Sequence, residues 1–442
     1  MKPTNSMNPT KRLLMISYPF PPNPSAGAVR SERFARYLSE YGWNIDVVTI
    51  KPQQNRTLND SDMFDKKITI HRTRTLDPWL WLSNRIPKNI ILRGIRSVLM
   101  RLFSFPDHMI LWLPFALLRG LKICKEKKVC AIYTTSPPHS SQIIGYLLSK
   151  ITGIPWVADF RDPWTLNAYR NSGVINETLI KISEVMERAV YRNASFVLAN
   201  TQANKRNLLD AFPEINKQNV VFLPNGWELF EFDKAEMVSE NETFTIVHAG
   251  TFYPRFKPYA LFYAIEAWNK GLQPKGIPPL DEMNVRIKLY GSKDHETKKL
   301  VNDLDLDKYV EIIPWIPQAE VRIKMCSADL LWVTLGTGPA SSTYVPSKLF
   351  EYIAAKKPII GFFPEGEAAN IIKMTNTGRV FSDERASPVI QFLYECIQLK
   401  KESSETVYSP DETMIESYNV KAITQKLSVI LSSLCVSHNK GA

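Results

Sequence analysis

The chain has 442 residues, of which 44% are hydrophobic and 22% are charged, a composition that describes a globular protein. This length exceeds what one hydrophobic core usually supports, so we expect two domains of roughly 200 residues each. The net charge of +11 calls for a partner or a surface explanation. The five cysteines are scattered, which argues against a disulfide framework or a paired metal site and fits a reducing compartment.

The first ten residues are polar and carry no secretory pattern, so they are expected to form a disordered leader. After them, short apolar strands alternate with helical stretches. Strands are predicted at 13–17, 45–50, 131–135, 156–158, 196–199 and 220–223, and helices at 29–41, 140–150 and 177–191. Strands joined by crossover helices imply a parallel sheet covered on both faces, here within a domain at 11–228.

The same pattern restarts after a polar linker at 229–242. Strands are predicted at 244–248, 285–290, 310–313, 330–335 and 358–362, and helices at 259–269, 348–355 and 419–434. The second domain is therefore placed at 243–415, followed by a terminal helix and tail at 416–442. The chain is predicted to be α/β, with two Rossmann-like doubly wound domains and a ligand cleft between the carboxyl ends of their sheets.

One segment of the second domain, 345–361, carries more chemical information than any other. Pro346 suits a helix entrance, and Ser347 suits a cap or first-turn position. The N–H groups of that first turn make a phosphate site. Glu351 follows Ser347 by about one helical turn, where its carboxylate would accept hydrogen bonds from a pair of ribose hydroxyls. The alternative is a surface amphipathic helix that leads into a core strand.

This segment resembles the nucleotide-sugar site of GT-B glycosyltransferases, most closely the retaining group called family 4. Further segments match the family pattern in order, so the resemblance covers most of the chain and implies that the terminal helix crosses back to the first domain. It implies that the donor is contacted by the glycine turns after two strands, by one further loop and by the helix just described. These residues are Gly250, Gly291, Trp315, Ile316, Ser347, Lys348, Leu349 and Glu351.

Two departures from the family pattern concern the donor side. Many relatives carry an arginine directly after the glycine of the diphosphate loop, where this chain has Thr251, so Arg255 and Lys257 are the predicted catalytic substitutes. Two cations and a helix terminus would neutralise the departing diphosphate without a metal. Relatives often place a glutamate near the donor sugar at the position of Thr343, which is not acidic.

The resemblance places the acceptor against the first domain. Gly27 and Arg30 lie in the loop and helix after the first strand, where a glycine permits close approach of a phosphate or sugar. A simple β–α turn is the alternative. Many relatives have a histidine near the reacting sugar at the position of Arg161. The predicted acceptor and catalytic contacts are Arg161, Asp162, Asp159 and His139, for which an internal Arg–Asp ion pair is the alternative.

The resemblance implies a retaining glycosyltransferase that moves a sugar from a nucleoside diphosphate, such as UDP or GDP, to an acceptor hydroxyl. The acceptor would be a saccharide or a polyprenyl-linked carrier in polysaccharide or glycoconjugate assembly. No metal and no cofactor are expected, and the leaving phosphate itself would act as the base. A nucleotide-sugar 2-epimerase and a non-catalytic scaffold of GT-B type are the alternatives.

The positive charge concentrates between Arg85 and Lys128, where ten Lys and Arg residues are interleaved with aromatic ones such as Trp112. Trp79 and Trp81 come directly before this stretch. Basic residues mixed with Trp and Phe suit a helix that lies in a membrane interface and faces anionic lipid. Alternatively, these aromatics pack in the core and the arginines are merely solvated. No nucleic-acid-binding module accompanies the charge. We therefore expect a cytoplasmic protein that is peripheral on the inner face of the cytoplasmic membrane.

Overall fold

The computed structural model describes residues 11–52, 64–76, 105–167, 177–229, 242–252, 259–291, 295–335, 339–383, 385–402 and 409–441. They fall into two compact units. The first lies within Met1–Pro224 and Val420–Ala442, and the second lies within Asn225–Asn419. Each unit contains one parallel β-sheet covered by helices, as the alternation of strands and helices predicts.

The sheet of the first unit has seven parallel strands in the order β3-β2-β1-β4-β5-β6-β7. The strands are β1 Arg12–Ile16, β2 Asn44–Ile50, β3 Ile68–Thr73, β4 Ala131–Ser136, β5 Trp156–Phe160, β6 Phe196–Ala199 and β7 Val220–Phe222. The helices between them are α1 Ala26–Glu40, α2 Leu113–Glu126, α3 Ser140–Thr152, α4 Glu177–Asn193 and α5 Gln202–Ala211. The order in which strands are added to the sheet reverses between β1 and β4, so the loops that follow these two parallel strands leave from the same carboxyl edge of the sheet in opposite directions.

Both faces of the inner part of this sheet are buried, which explains why strands such as β1 and β6 are continuous apolar runs. Leu13 and Met15 belong to one hydrophobic cluster, whereas Leu14 and Ile16 belong to another on the opposite face. Successive side chains of a strand point to opposite faces, so β1 contributes to both clusters.

The second unit repeats the architecture with six parallel strands in the order β10-β9-β8-β11-β12-β13. The strands are β8 Phe244–Ala249, β9 Val285–Tyr290, β10 Val310–Ile313, β11 Leu330–Thr334, β12 Ile359–Phe362 and β13 Gly378–Phe381. The helices are α6 Tyr259–Asn269, α7 His295–Asp303, α8 Gln318–Ser327, α9 Ser347–Ala354, α10 Glu367–Thr375, α11 Ala386–Lys401 and α12 Glu412–Glu416. The order in which strands are added to this sheet reverses between β8 and β11.

The last helix, α13 Val420–Gly441, belongs to the first unit. Its residues Ile423, Leu427 and Leu431 are spaced at four-residue intervals and lie in the same hydrophobic cluster as Leu13. Within the described part of the chain, Val420–Ser437 is one helical stretch long and apolar enough to cross a membrane. Its apolar face is already used in the core of the first unit, as in the interior helix of a globular domain.

The expectation that no cysteines pair is wrong. Cys130, at the start of β4, and Cys435, in α13, form a disulfide whose Cα atoms are 5.0 Å apart. These residues are 305 positions apart, so nothing in their local spacing indicates the pairing. It depends on the terminal helix returning to the first unit. Cys124, Cys326 and Cys396 are free thiols.

Part of the basic aromatic region, 77–104, lies outside the described residues. The expectation that Trp112 anchors the chain in a membrane interface is wrong, because this side chain is fully buried. Its indole N–H donates to Thr73 Oγ1 at 2.7 Å, and its ring meets Tyr18 edge-on. Trp112 is therefore a core residue, as the packing alternative holds.

Several elements were not identified from the sequence. They are strands β3 and β13 and helices α2, α5, α7, α8, α10, α11 and α12. The two strands lie at or near a sheet edge and are half-buried, so their apolar content is weaker than that of the central strands. Helix α1 also begins earlier than expected, at Ala26, because the Ser25 hydroxyl caps it by accepting from the Ala28 N–H at 3.4 Å.

Candidate functional site

Two glycine turns lie side by side at the carboxyl edge of the second sheet, near the point where the strand order reverses. Gly250 follows β8 and Gly291 follows β9, with φ values of +106° and +81° that favour glycine. A Cβ on Gly291 would lie 3.7 Å from the Gly250 Cα, so the two backbones are adjacent. Ligands of doubly wound sheets bind outside the carboxyl ends of the strands at this reversal point.

Lys348 extends from the first turn of α9 onto the Gly250 turn. A Cβ on Gly250 would lie 2.5 Å from Lys348 Nζ and 2.7 Å from its Cε, so only glycine leaves room for this side chain. Burial lowers the pKa of Lys348 to about 8, although the Glu351 carboxylate acts in the opposite direction. The ammonium is thus cationic at neutral pH and lies beside exposed backbone of the turn.

His248 is the neighbour of Lys348 that the sequence did not reveal. Its Nε2 lies 3.4 Å from Lys348 Nζ, and its Nδ1 donates to the Trp332 carbonyl at 2.9 Å. Burial, followed by the Lys348 charge, holds the pKa of His248 well below its ordinary value, so the imidazole is neutral. A histidine among apolar residues of a buried strand, two residues before a glycine turn, was the available signal.

Glu351 lies one turn after Ser347 on α9, and its Oε1 accepts a hydrogen bond from Gln318 Nε2 at 3.3 Å. The helix begins at Ser347, which is exposed, and Pro346 precedes it without a side-chain cap. The first N–H groups of a helix lack intrahelical partners. The carboxylate of Glu351 therefore lies about one turn from the amino end of α9, as the sequence predicts.

The remaining donor-side predictions have different placements. The predicted contact Leu349 is fully buried in the core of the second unit, and its N–H donates to the Pro346 carbonyl, so its side chain faces no ligand. Trp315 is 69% exposed, whereas Ile316 packs against the core. Arg255 and Lys257 lie outside the described residues.

Thr251 and Thr343 stand where relatives often have charged residues. Thr251 Oγ1 donates to the Gly291 carbonyl at 3.0 Å, which joins the two glycine turns. Thr343 ends a short 3-10 turn, Pro339–Thr343, that precedes α9. A cation does reach this turn from another element, because Lys348 of α9 lies against Gly250.

In the first unit, the predicted acceptor contacts Arg30 and Asp159 form a closed ion pair. Both side chains are buried, with Arg30 Nη2 2.9 Å and Nε 3.1 Å from the two carboxylate oxygens. Arg30 also donates to the carbonyls of Leu223 and Pro224, and Tyr133 donates to Asp159 at 2.7 Å. Burial alone would lower the pKa of Arg30, but Asp159 outweighs it and the pKa is raised. These two residues tie α1 to the sheet, so their assignment to the acceptor is wrong.

Arg161 and Asp162 follow β5 and remain partly exposed. Arg161 Nη1 would lie 1.9 Å from a Cβ on Gly27, so the space that this glycine opens is taken by Arg161 and not by a ligand. Arg161 Nη2 lies 3.6 Å from Asp162 Oδ2. Burial raises the pKa of Asp162, against the effect of the Arg161 charge. His139 stacks on Trp164 with ring centroids 4.9 Å apart.

Within the described ranges, no group of three or more His, Cys, Asp or Glu side chains is arranged to hold a metal ion. Lys348 brings a positive charge to the Gly250 turn, and the Glu351 carboxylate acts on it from the same helix.

Comparison with known proteins finds a sequence similarity in the first unit and structural similarities along the chain. Residues 25–226 match the model of the glycosyl transferase 4-like domain. No curated protein matches the sequence.

Solved structures show the fold of the whole chain. Sucrose-phosphate synthase from Thermosynechococcus elongatus has a TM-score of 0.66 at 14% identity, over 97% of this chain and 100% of that one. Anabaena HepE in complex with UDP and glucose has a TM-score of 0.62 at 15% identity, over 96% and 100%. WaaG, a glycosyltransferase involved in lipopolysaccharide biosynthesis, has a TM-score of 0.58 at 13% identity, over 95% and 99%. The chain therefore has the GT-B fold, as the sequence resemblance implies.

Proposed function

We propose that the protein transfers a sugar from a nucleoside diphosphate to an acceptor hydroxyl, with retention of the anomeric configuration. The observation that carries this proposal is the Lys348 ammonium on the Gly250 turn, with the Glu351 carboxylate one turn further along the same helix. A cation beside two adjacent glycine turns suits a diphosphate, and a carboxylate nearby suits ribose hydroxyls. The similar structure of HepE holds UDP and glucose.

In this proposal the donor half of the reaction depends on charge. Negative charge grows on the departing diphosphate, and Lys348 with the amino end of α9 would stabilise it more in the transition state than in the ground state. Arg255 and Lys257 would add to this stabilisation. The leaving phosphate would accept the proton of the acceptor hydroxyl on the same face of the sugar. Asp162 and Arg161 would orient the acceptor.

The first experiment is a thermal-shift screen of UDP-, GDP-, ADP- and dTDP-sugars against the wild-type chain, followed by assays of the stabilising sugar with and without acceptors. Transfer to an acceptor supports the proposal. Change of the donor sugar without any acceptor would favour a nucleotide-sugar 2-epimerase. Absence of binding to every donor would favour a non-catalytic scaffold.

We also propose that the reaction needs no metal, since Lys348 and its neighbours supply the positive charge. Activity should therefore survive EDTA. Complete loss that Mg²⁺ or Mn²⁺ restores would contradict this part of the proposal.

A further part of the proposal is that the acceptor is lipid-linked and that helix α2 meets the cytoplasmic membrane surface. The exposed residues of α2 are Pro114, Leu118, Lys122, Lys125 and Glu126, and Lys128, two residues after the helix, is also exposed. Leu118 is 67% exposed. Each lysine near an anionic leaflet contributes about 1 kcal/mol, so this side should adsorb to lipid in a salt-sensitive way.

Replacing Lys122, Lys125 and Lys128 with glutamate should abolish sedimentation with vesicles of anionic lipid while sparing transfer to a soluble acceptor analogue. The matched control replaces three exposed lysines of the second unit, Lys270, Lys298 and Lys299, and should leave sedimentation unchanged. Equal binding of the wild type to neutral and anionic vesicles would contradict membrane adsorption through charge.

A further inference from the structure

A buried histidine lies directly behind the cation of the candidate site. His248 is the fifth residue of β8, and its ring stacks on the ring of Phe252, with centroids 4.1 Å apart and planes 15° apart. Its Nε2 lies 3.4 Å from Lys348 Nζ. Because the Lys348 ammonium has only donors, the neutral imidazole must accept at Nε2.

The backbone carbonyl of Trp332 in β11 determines which nitrogen of His248 accepts. This oxygen accepts from His248 Nδ1 at 2.9 Å, which leaves Nε2 without a proton and available to Lys348. The same oxygen accepts from the Tyr352 hydroxyl at 3.1 Å, and Tyr352 in turn accepts from the Ala249 N–H at 3.0 Å. One carbonyl therefore holds the histidine, helix α9 and the backbone that leads into the Gly250 turn.

We propose that His248 is a positioning residue that orients the Lys348 ammonium toward the diphosphate of the donor, an inference that rests on the proposed function. A neutral acceptor suits this task better than a carboxylate. A carboxylate would cancel the lysine charge, whereas an imidazole fixes one N–H of the ammonium and leaves the charge and two N–H groups for the ligand. His248 thus makes a lysine from α9 act where relatives use an arginine next to the glycine.

The arrangement has a consequence for pH. The groups that face Lys348 are the His248 imidazole from β8, the Gly250 backbone and the Glu351 carboxylate from its own helix. Since burial lowers the pKa of Lys348 to about 8, the unbound site loses its cation as pH rises through that value. Binding of a diphosphate favours the ammonium, so complex formation near pH 8 should take up protons.

The experiment measures affinity and proton uptake by calorimetry in buffers of different ionisation enthalpy, from pH 6 to pH 9.5. The ligand is whichever of UDP, GDP, ADP and dTDP the wild type binds most tightly. His248→Phe keeps a flat ring but removes the acceptor, so affinity at pH 7 should fall about tenfold and the alkaline midpoint should move down by about one unit. His248→Gln offers a carbonyl acceptor and should recover most of the loss.

A matched control separates positioning from mere packing. Tyr352→Phe removes the other hydrogen bond to the Trp332 carbonyl but leaves the contact between His248 and Lys348, so it should lower the melting temperature without moving the alkaline midpoint. In the Lys348→Met background, His248→Phe should have no further effect on affinity, since the lysine it orients is absent.

The outcomes distinguish this inference from the function on which it rests. A wild type that binds none of the four diphosphates overturns both. A wild type that binds, with an unchanged affinity and pH profile in His248→Phe, overturns the positioning role alone. Equal losses in the phenylalanine and glutamine variants would mean that a hydrogen-bond acceptor at this position does not restore affinity, which also overturns it.

Discussion

Each unit places a cationic side chain from a helix beside a residue of the sheet, but the charge is neutralised by a carboxylate in the first unit and meets a neutral ring in the second. In the first unit, Arg30 meets the buried carboxylate of Asp159 and donates to two further carbonyls. In the second unit, Lys348 meets a neutral imidazole, that of His248. Sequence motifs alone assigned all three charged residues to ligands.

The difference shows that the partner of a cation decides its role. A carboxylate within 3 Å satisfies the charge of Arg30 and makes it a structural link, in which both charges would be costly if left alone. An imidazole leaves the charge of Lys348 uncompensated at its point of contact. Burial still acts on it, as the lowered pKa records. Such a site is stabilised further when an anion arrives.

The largest effect on stability should come from breaking the buried ion pair of Arg30 and Asp159. Asp159→Asn leaves the buried Arg30 without its counter-charge, so the first unit should lose about 3–5 kcal/mol in its free energy of unfolding, measured by urea denaturation. The control is Glu32→Gln on the same helix, which breaks the exposed pair with Arg36 and should cost less than about 1 kcal/mol. Equal costs for the two variants would remove the structural role of Asp159.

The disulfide offers a second test of how the first unit is held together. Cys435→Ser should lower the free energy of unfolding by about 2–4 kcal/mol under oxidising conditions, since the cross-link restricts the unfolded chain. With dithiothreitol present, wild type and variant should have the same stability. Cys396→Ser, at a buried free thiol of the second unit, serves as the control. It keeps the disulfide, so the difference in stability between this variant and the wild type should be the same with and without dithiothreitol. If dithiothreitol leaves the stability of the wild type unchanged, the Cys130–Cys435 disulfide is contradicted.

Lys348→Met should separate binding from folding in the second unit. Loss of a charge-assisted contact should weaken diphosphate binding by about 1.5–3 kcal/mol, measured by calorimetry at pH 7. Stability should change in the opposite direction. Because burial lowers the pKa of Lys348 from 10.5 to about 8, the folded state disfavours the ammonium, and the variant should unfold less readily than wild type at pH 7.

This gain in stability has a defined pH dependence. It should be complete below pH 8, shrink as pH rises toward 10.5, and then level off, because the wild-type lysine is neutral in both states at high pH. A variant that binds the diphosphate as tightly as wild type would place Lys348 outside the site. A gain that grows with pH would contradict the cost of its burial.

The smallest effect is expected at Glu351. Glu351→Gln keeps the contact with Gln318 within reach but removes the charge that accepts from ribose hydroxyls, so donor affinity should fall by about 1 kcal/mol with an unchanged melting temperature. Glu311→Gln, at an exposed strand position of the same unit, is a control that should change neither quantity. Unfolding of the Glu351 variant would make this residue a structural part of α9.

The repeating α/β pattern was readable from the sequence because it follows from local physics. Buried parallel strands appear as unbroken apolar runs, as in β1 and β6, and the helices between them show apolar periodicity. The edge strands β3 and β13 were missed because half-buried strands carry fewer apolar residues. The amino end of α9 was also predictable, since a proline followed by a serine marks a helix start.

The sequence by itself determined two doubly wound units, the glycine turns and the helix that carries Lys348 and Glu351. The tertiary structure decided what each charge does. Arg30 and Asp159 are 129 positions apart, His248 and Lys348 are 100 apart, and Cys130 and Cys435 are 305 apart. Local patterns describe which face of an element is buried. Whether a charge is paired, oriented or left for a ligand depends on the partners that folding brings to it from distant parts of the chain.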